Sequence, residues 1–351
     1  WAARAKGGVE KIVAIKLMLS DLGADVDAES MFLDEARLVS RIRHPNVAAV
    51  LDLGEADDAL YIVMEWVEGE PLQIVLREVA RTGDHRLPLP LALRIVRQAA
   101  AGLHAAHELC DEHGHPVALV HRDVSPTNLL IGYDGAVKVI DFGVAKATSN
   151  LQRTRVGQIK GKVPYMAPEQ AMGEPVDRRS DVFALGIVLY QLVTGKHPFR
   201  GENEFVTMAR IREKAPAEPA RNLLPDLPPA VDEVIQKALA KPKDARYPTM
   251  LDFARALEHA LPLPPDVDRT LGSFLSQLLS QRAQRREQAI REALRAVSER
   301  TGSHAKPVNL GIRPPLFEDI ERSSGIRRLG DLVDPDSPLA TAPQAAPSPA
   351  P

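Results

Sequence analysis

The stretch at 121–143, HRDVSPTNLLIGYDGAVKVIDFG, constrains the fold of this chain more than any other. Two apolar runs flank the turn-forming triplet Tyr133-Asp134-Gly135, a pattern that predicts a β-hairpin. A hairpin sets its two ends side by side, and here the ends carry Asn128 and Asp141. Their amide and carboxylate oxygens suit a hard cation such as Mg²⁺. Asp123, shortly before Asn128, is a carboxylate able to accept or steer the proton of a hydroxyl.

The flanking sequence changes character along its length. Residues 9–19, VEKIVAIKLML, read as a strand, and residues 29–42 place Phe32, Leu33, Ala36, Leu38, Val39 and Ile42 near helical spacing. Residues 47–67 read as a hairpin around a turn at Gly54 to Asp58. Helical periods follow over 91–110, 182–194, 230–240 and 250–261. The pattern predicts a small β-rich lobe ahead of a larger helical one. Beyond the LPLPP run at 261–265, a helix or helix pair is expected, with its interleaved Arg and Glu forming a solvated face. The Pro-, Ala- and Ser-rich tail from 331 to 351 is compositionally a disordered extension.

Composition narrows the function classes. A chain of 351 residues, 44% hydrophobic, can bury a substantial core, and its net charge of -3 offers no global field to draw nucleic acid or an anionic membrane. No apolar run approaches the ~18 residues of a membrane span. One cysteine, Cys110, cannot form an internal disulfide. It is expected to be a buried, inert thiol in a reducing compartment, hence a cytoplasmic location. His113 and His115 are expected to lie in a polar loop, since no further His or Cys partner is near them in sequence.

The chemistry-bearing residues recur in a fixed order. VAIK at 13–16 ends on Lys16, whose ammonium can neutralise phosphate charge, and Glu35 follows on the first helix ahead of the HPN turn at His44. After Asp123, Asn128 and Asp141 come YMAPEQ at 165–170, SDVFALG at 180–186 and DARYP at 244–248. Over residues 9 to about 260 this order resembles the bacterial eukaryotic-like serine/threonine protein kinases, and the HRDVSP loop with the long segment before it resembles a subgroup common in myxobacteria.

The resemblance implies an α+β, two-lobed protein kinase fold. The kinase domain would span 1–262, with a small lobe at 1–66 and a large lobe at 67–262, then a helical extension at 263–305 and a mostly disordered tail at 306–351. It implies ATP and Mg²⁺ as cofactors and Ser/Thr hydroxyls of proteins as acceptors, in bacterial signalling, with no nucleic-acid partner. Asp123 would steer the acceptor hydroxyl, Asn128 and Asp141 would hold Mg²⁺, and Lys16, oriented by Glu35, would hold the phosphates. The backbone of Glu65 and Val67 would form the adenine hinge, with Met64 behind the pocket. Asp181 would support the catalytic-loop backbone and Glu169 would pair with Arg246. Arg122 would receive a phosphate on the activation segment, for which Thr154, set among basic residues, is the expected site.

Departures from the family pattern raise their own expectations. Only Gly7 and Gly8 precede Val13, too late for a Gly-rich phosphate lid, so the first strand and lid are expected to lie upstream of Trp1. Phe183 stands where a tryptophan is common. Ser125 occupies the position of the usual catalytic-loop lysine, while Lys162 occupies that of a threonine before Ala167-Pro168-Glu169. The expectation is that Lys162 reaches back to Ser125 and restores the charge. An inactive fragment or pseudokinase-like scaffold that binds partners without phosphotransfer is the alternative reading. HRD in place of His-Gly-Asp, with a full activation segment, argues against a small-molecule phosphotransferase.

Overall fold

The computed structural model describes residues 2–5, 11–19, 36–56, 59–83, 85–142 and 163–300. β-Branched Ile12, Val13 and Ile15 favour the extended backbone of β2 (Lys11–Leu19). This strand joins β1 (Ala2–Ala5), β3 (Val50–Ala56) and β4 (Ala59–Glu65) in an antiparallel sheet of order β1-β2-β4-β3. Register sets Val13 opposite Glu65 and Lys16 opposite Ile62. Residues 36–40 are helical, and Ala36 packs on Ile62 with Met64 and Val50 around them. The β3–β4 connection is tighter than the expected turn at 54–58, because Gly54, Glu55 and Ala56 pair with Tyr61, Leu60 and Ala59. Gly54 serves a close approach instead: a Cβ there would lie 2.2 Å from the Tyr61 hydroxyl.

The larger lobe opens with β5 (Gly69–Pro71), α1 (Leu72–Thr82) and the Ala-rich α2 (Leu89–His107). The predicted hairpin follows as β6 (Leu129–Gly132) and β7 (Val137–Val139), with β5 completing a three-stranded sheet of order β5-β6-β7. Helices α3 (Pro168–Met172), α4 (Arg178–Thr194), α5 (Glu204–Arg212), α6 (Ala220–Leu223), α7 (Pro229–Ala238) and α8 (Met250–Ala260) follow. The chain continues into α9 (Val267–Leu278) and α10 (Ser280–Arg300), a helix pair.

Helix α4 is the axis of this lobe, with every residue from Ser180 to Tyr190 buried. Asp177 caps its start by accepting the Arg179 amide, and Gly195 stops it in the left-handed conformation. The HPN turn ties the lobes together: the Asn46 side chain donates to Gln98 of α2 and to the Val137 carbonyl of β7. Leu271, Leu275 and Leu279 are buried in the core cluster that also holds α2 and α4, so the segment beyond residue 262 packs into the lobe.

Cys110 is exposed, contrary to the expected buried thiol. It lies in the polar loop after α2, where it bridges to Pro116 and Asp111 accepts the amides of His113 and His115. Nearer the core, the Arg246–Glu169 pair is fully assembled. Two parallel bonds of 2.7 and 2.8 Å join guanidinium to carboxylate, and Ser180 adds a 2.6 Å bond to Glu169. The other Arg246 donors reach the carbonyls of Arg179, Ala240 and Lys241, so all five N–H groups are used. Burial pushes the Glu169 carboxyl up, but its bonds to Arg246 outweigh that and hold it below the usual carboxylate range. Phe183 lies between this guanidinium, 4.7 Å away, and the stacked ring of Phe199.

Glu169→Gln strands a buried cation, which typically costs about 3–5 kcal/mol. Chemical denaturation should show a loss of that order, whereas a loss under about 1 kcal/mol would mean the pair is not the anchor described.

Candidate active site

The loop at 121–128 hangs from α4 by one carboxylate. Asp181 Oδ2 accepts the His107 ring at 2.8 Å and the His121 amide at 2.8 Å, and its Oδ1 accepts the Arg122 amide at 2.9 Å. Burial opposes ionisation of Asp181, yet the bond and charge of His107, with His121, hold its carboxyl below the usual range. Arg122 adopts φ 63°, a left-handed conformation costly for a side-chain-bearing residue. Its amide is fixed by Asp181, and its carbonyl accepts Gln170 Nε2 at 3.0 Å.

His121 fastens the same loop to the strand that leads to Asp141. Its Nε2 donates to the Ile140 carbonyl at 3.0 Å, its Nδ1 accepts the Asp123 amide at 3.2 Å, and its ring packs 4.7 Å from that of Phe142. Asn128 then braces Asp123: its Nδ2 donates to the Asp123 carbonyl at 2.8 Å and to Asp123 Oδ2 at 3.1 Å. Across the hairpin the Ile140 amide donates to the Asn128 carbonyl, which sets Asp141 next to this pair. Asp141 has φ 55°, and its Oδ1 accepts Lys16 Nζ at 2.9 Å. Asp123, Asn128, Asp141 and Lys16 are thus brought together from three separate segments.

Other expected site residues fall variously. Glu65 sits at the end of β4 with its amide on the Ala49 carbonyl and its carboxylate 2.8 Å from Lys138 Nζ. Met64 packs beside Ile62 and Ala36, and Val67 follows Glu65 in the segment that joins the lobes. A groove of about 280 Å³ runs between residues 65–68 and the β6–β7 turn, and none of Lys16, Asp123, Asn128 or Asp141 lines it. Ser125 is buried, and its hydroxyl meets Thr127 Oγ1 at 2.7 Å. Glu35, Lys162 and Thr154 lie outside the described residues.

Sequence reading missed His107, Gln170, Thr127 and the ring bonds of His121. His107, Gln170 and the His121 ring act through partners far along the chain or through backbone atoms, and Thr127 through a hydroxyl two residues away, and no spacing rule marks them. His197 was also missed. It lies past the end of α4 and fixes the turn leading into Ala167-Pro168-Glu169: Nε2 donates to the Pro164 carbonyl at 2.8 Å and Nδ1 accepts the Phe199 amide at 3.1 Å. Burial is the main force holding this imidazole neutral, and it pushes the pKa down to about 4.

A protein-family model described as "Protein kinase domain" matches residues 4–296. The tyrosine-protein kinase MasK of Myxococcus xanthus is 47% identical over 271 residues, covering 76% of this chain and 42% of that protein. The serine/threonine-protein kinase PknA of Mycobacterium tuberculosis is 41% identical over 251 residues, covering 70% of this chain and 54% of that protein. The chain therefore spans about half the length of these curated relatives. Among solved structures, the kinase domain of Mycobacterium tuberculosis PknI aligns with a TM-score of 0.54 at 26% identity, over 74% of this chain and 90% of that one.

The neutral His197 generates a pH signature. Its native pKa lies below the unfolded value of about 6.5, so the unfolded chain binds the extra proton and stability falls as pH drops from about 6.5 toward about 4. The component is on the order of 3 kcal/mol at most. Denaturant titrations at pH 7.5 and 5.0 should show it in the wild type and a smaller difference in His197→Gln; equal pH differences in the two proteins would contradict the assignment.

Proposed function

The chain belongs to the protein kinase family, and on that premise we propose that it transfers the γ-phosphoryl group of ATP to serine and threonine hydroxyls of protein substrates in bacterial signalling. One observation carries the reading. Asp123 and Asn128 are bonded to each other at one end of the β6–β7 hairpin, and at its other end Asp141 is paired with Lys16.

The oxygen donors of Asp141 and Asn128 fit Mg²⁺, which takes few protein ligands and completes its shell with phosphate and water. ATP with Mg²⁺, when bound, supplies the phosphoryl group and neutralises its charge. In this proposal Asp123 orients the acceptor hydroxyl and takes its proton, while Asn128 keeps the Asp123 carboxylate in place. Lys16, oriented by Glu35, holds phosphate charge. The backbone of Glu65 and Val67 receives adenine, with Met64 behind it. Lys162 brings a cation toward Ser125, and phosphate on Thr154 pairs with Arg122.

The partners proposed are proteins, not nucleic acid. No helix among the described residues is long and apolar enough to cross a membrane, and with a single exposed thiol the proposed site of action is the cytoplasm. A tyrosine acceptor is the second reading, because the 47% identical relative is named a tyrosine kinase and Ser125 replaces the lysine usual in serine/threonine enzymes.

In a chain extended to carry the first strand and Gly-rich phosphate lid, incubation with labelled ATP should give Mg²⁺-dependent autophosphorylation, lost in Asp123→Ala and in Asp141→Ala. Phosphoamino-acid analysis should return phosphoserine and phosphothreonine. Phosphotyrosine alone would select the second reading, and unchanged incorporation in Asp141→Ala would overturn the mechanism.

A further inference from the structure

The charge-dense α10 does not present all its arginines to water. Arg282 and Arg286 stand four residues apart, on one face of the helix, and both turn toward the segment that joins the lobes. Arg282 Nη2 lies 3.5 Å from Glu70 Oε2, and Arg286 Nη1 lies 3.6 Å from Glu70 Oε1. Arg286 Nη1 also donates to the Gly69 carbonyl, and its guanidinium sits 4.5 Å over the Trp66 ring. The expected solvated face is thus interrupted by these two residues.

Glu70 makes the contact consequential. Its side chain is only 4% exposed, and a carboxylate so buried needs compensation by cations or donors. The Tyr133 hydroxyl donates to it at 3.4 Å. The two arginines that face it both come from α10. Tyr133 remains a phenol, its pKa pushed up to about 12 by burial and by Glu70.

Helix α9 holds α10 in this position. Asp268 accepts two bonds from Arg94 of α2, one of 2.7 Å from Nη2 and one from Nε, and a third from Gln98 at 3.2 Å. Backbone meets backbone where α9 crosses the β6–β7 turn. A Cβ on Gly272 would lie 2.8 Å from the Tyr133 carbonyl, and one on Gly135 would lie 2.3 Å from the Asp268 carbonyl. Only glycine at both positions permits that approach.

We propose that Arg286 is a positioning residue for nucleotide binding: from α10 it fixes Trp66 and Gly69, and so sets the backbone of Glu65 and Val67 that receives adenine. The proposal rests on the hinge role given to Glu65 and Val67 above. The ammonium or guanidinium of a residue over an indole, with a charged bond to a carbonyl, is strong enough to hold a connecting segment in one conformation. Removing it leaves Asp123, Asn128, Asp141 and Lys16 in place, so the loss falls on nucleotide affinity and not on the chemical step.

The test uses the full chain and two readouts, calorimetric binding of MgADP and autophosphorylation at varied ATP. Arg286→Ala should weaken MgADP binding and raise the KM for ATP about five- to tenfold, with kcat within about twofold. Arg286→Lys, which retains a cation over Trp66, should recover part of the affinity. Arg285→Ala removes an equal charge from the exposed face and should change neither quantity. If Arg286→Ala does not fold, Arg286→Gln, which keeps a donor for Gly69 without the charge, decides the same question. Wild-type affinity in the neutral variant, or equal losses in Arg285→Ala, overturns the proposal while the kinase reading stands. Failure of the wild-type chain to bind MgADP would instead remove the kinase reading, and the proposal with it.

Discussion

Asp181 lies in the first turn of α4 with its side chain 1% exposed, and it accepts one histidine ring and two consecutive amides. A carboxylate at that depth is tolerable only when its lone pairs are taken by well-placed donors. Two of those donors are backbone amides of the 121–128 loop itself. The bargain is mutual: the loop gains an anchor in the most buried helix, and the anion gains its compensation. Arg122 can hold its left-handed backbone, a conformation costing about 1–3 kcal/mol, because its own amide and that of His121 are bonded to the Asp181 carboxylate.

The rest of the site follows from that anchorage. With His121 fixed, its ring reaches Ile140 and ties the loop to β7, which delivers Asp141. Asn128, one strand away, restrains Asp123, and Lys16 crosses from the small lobe to Asp141. Asn46 and Gln98 register the two lobes through the same β7 strand. On the far side of the hairpin, α9 packs on the β6–β7 turn and α10 meets Trp66 in the connection between the lobes. Each contact joins segments distant in sequence, and each uses polar groups whose partners are specific in direction.

The hairpin at 121–143 and the lobe order were legible in the sequence because apolar periodicity and turn residues are local signals. The Glu169–Arg246 and Asp181 contacts were legible only through resemblance, since 77 and 60 residues separate the partners. Cys110 was misread because composition says nothing of a loop's position, and the GEADD segment because Gly54 serves close packing, not a turn. Arg282 and Arg286 looked like solvated charges, for a buried partner such as Glu70 leaves no mark in the helix that meets it. His107, Gln98 and Asn46 were invisible for the same reason: buried polar networks are specified by geometry, not by pattern.

The most direct measurement is hydrogen exchange across residues 119–128 in the wild type and in Asp181→Asn, with the interior of α4 as internal reference. In the wild type the His121 and Arg122 amides should exchange only as slowly as that interior. In Asp181→Asn, whose amide cannot accept at both positions, these two amides should exchange on the order of 100-fold faster while α4 stays protected. Unchanged protection of the loop would show that something other than the buried carboxylate holds it, and would contradict the account.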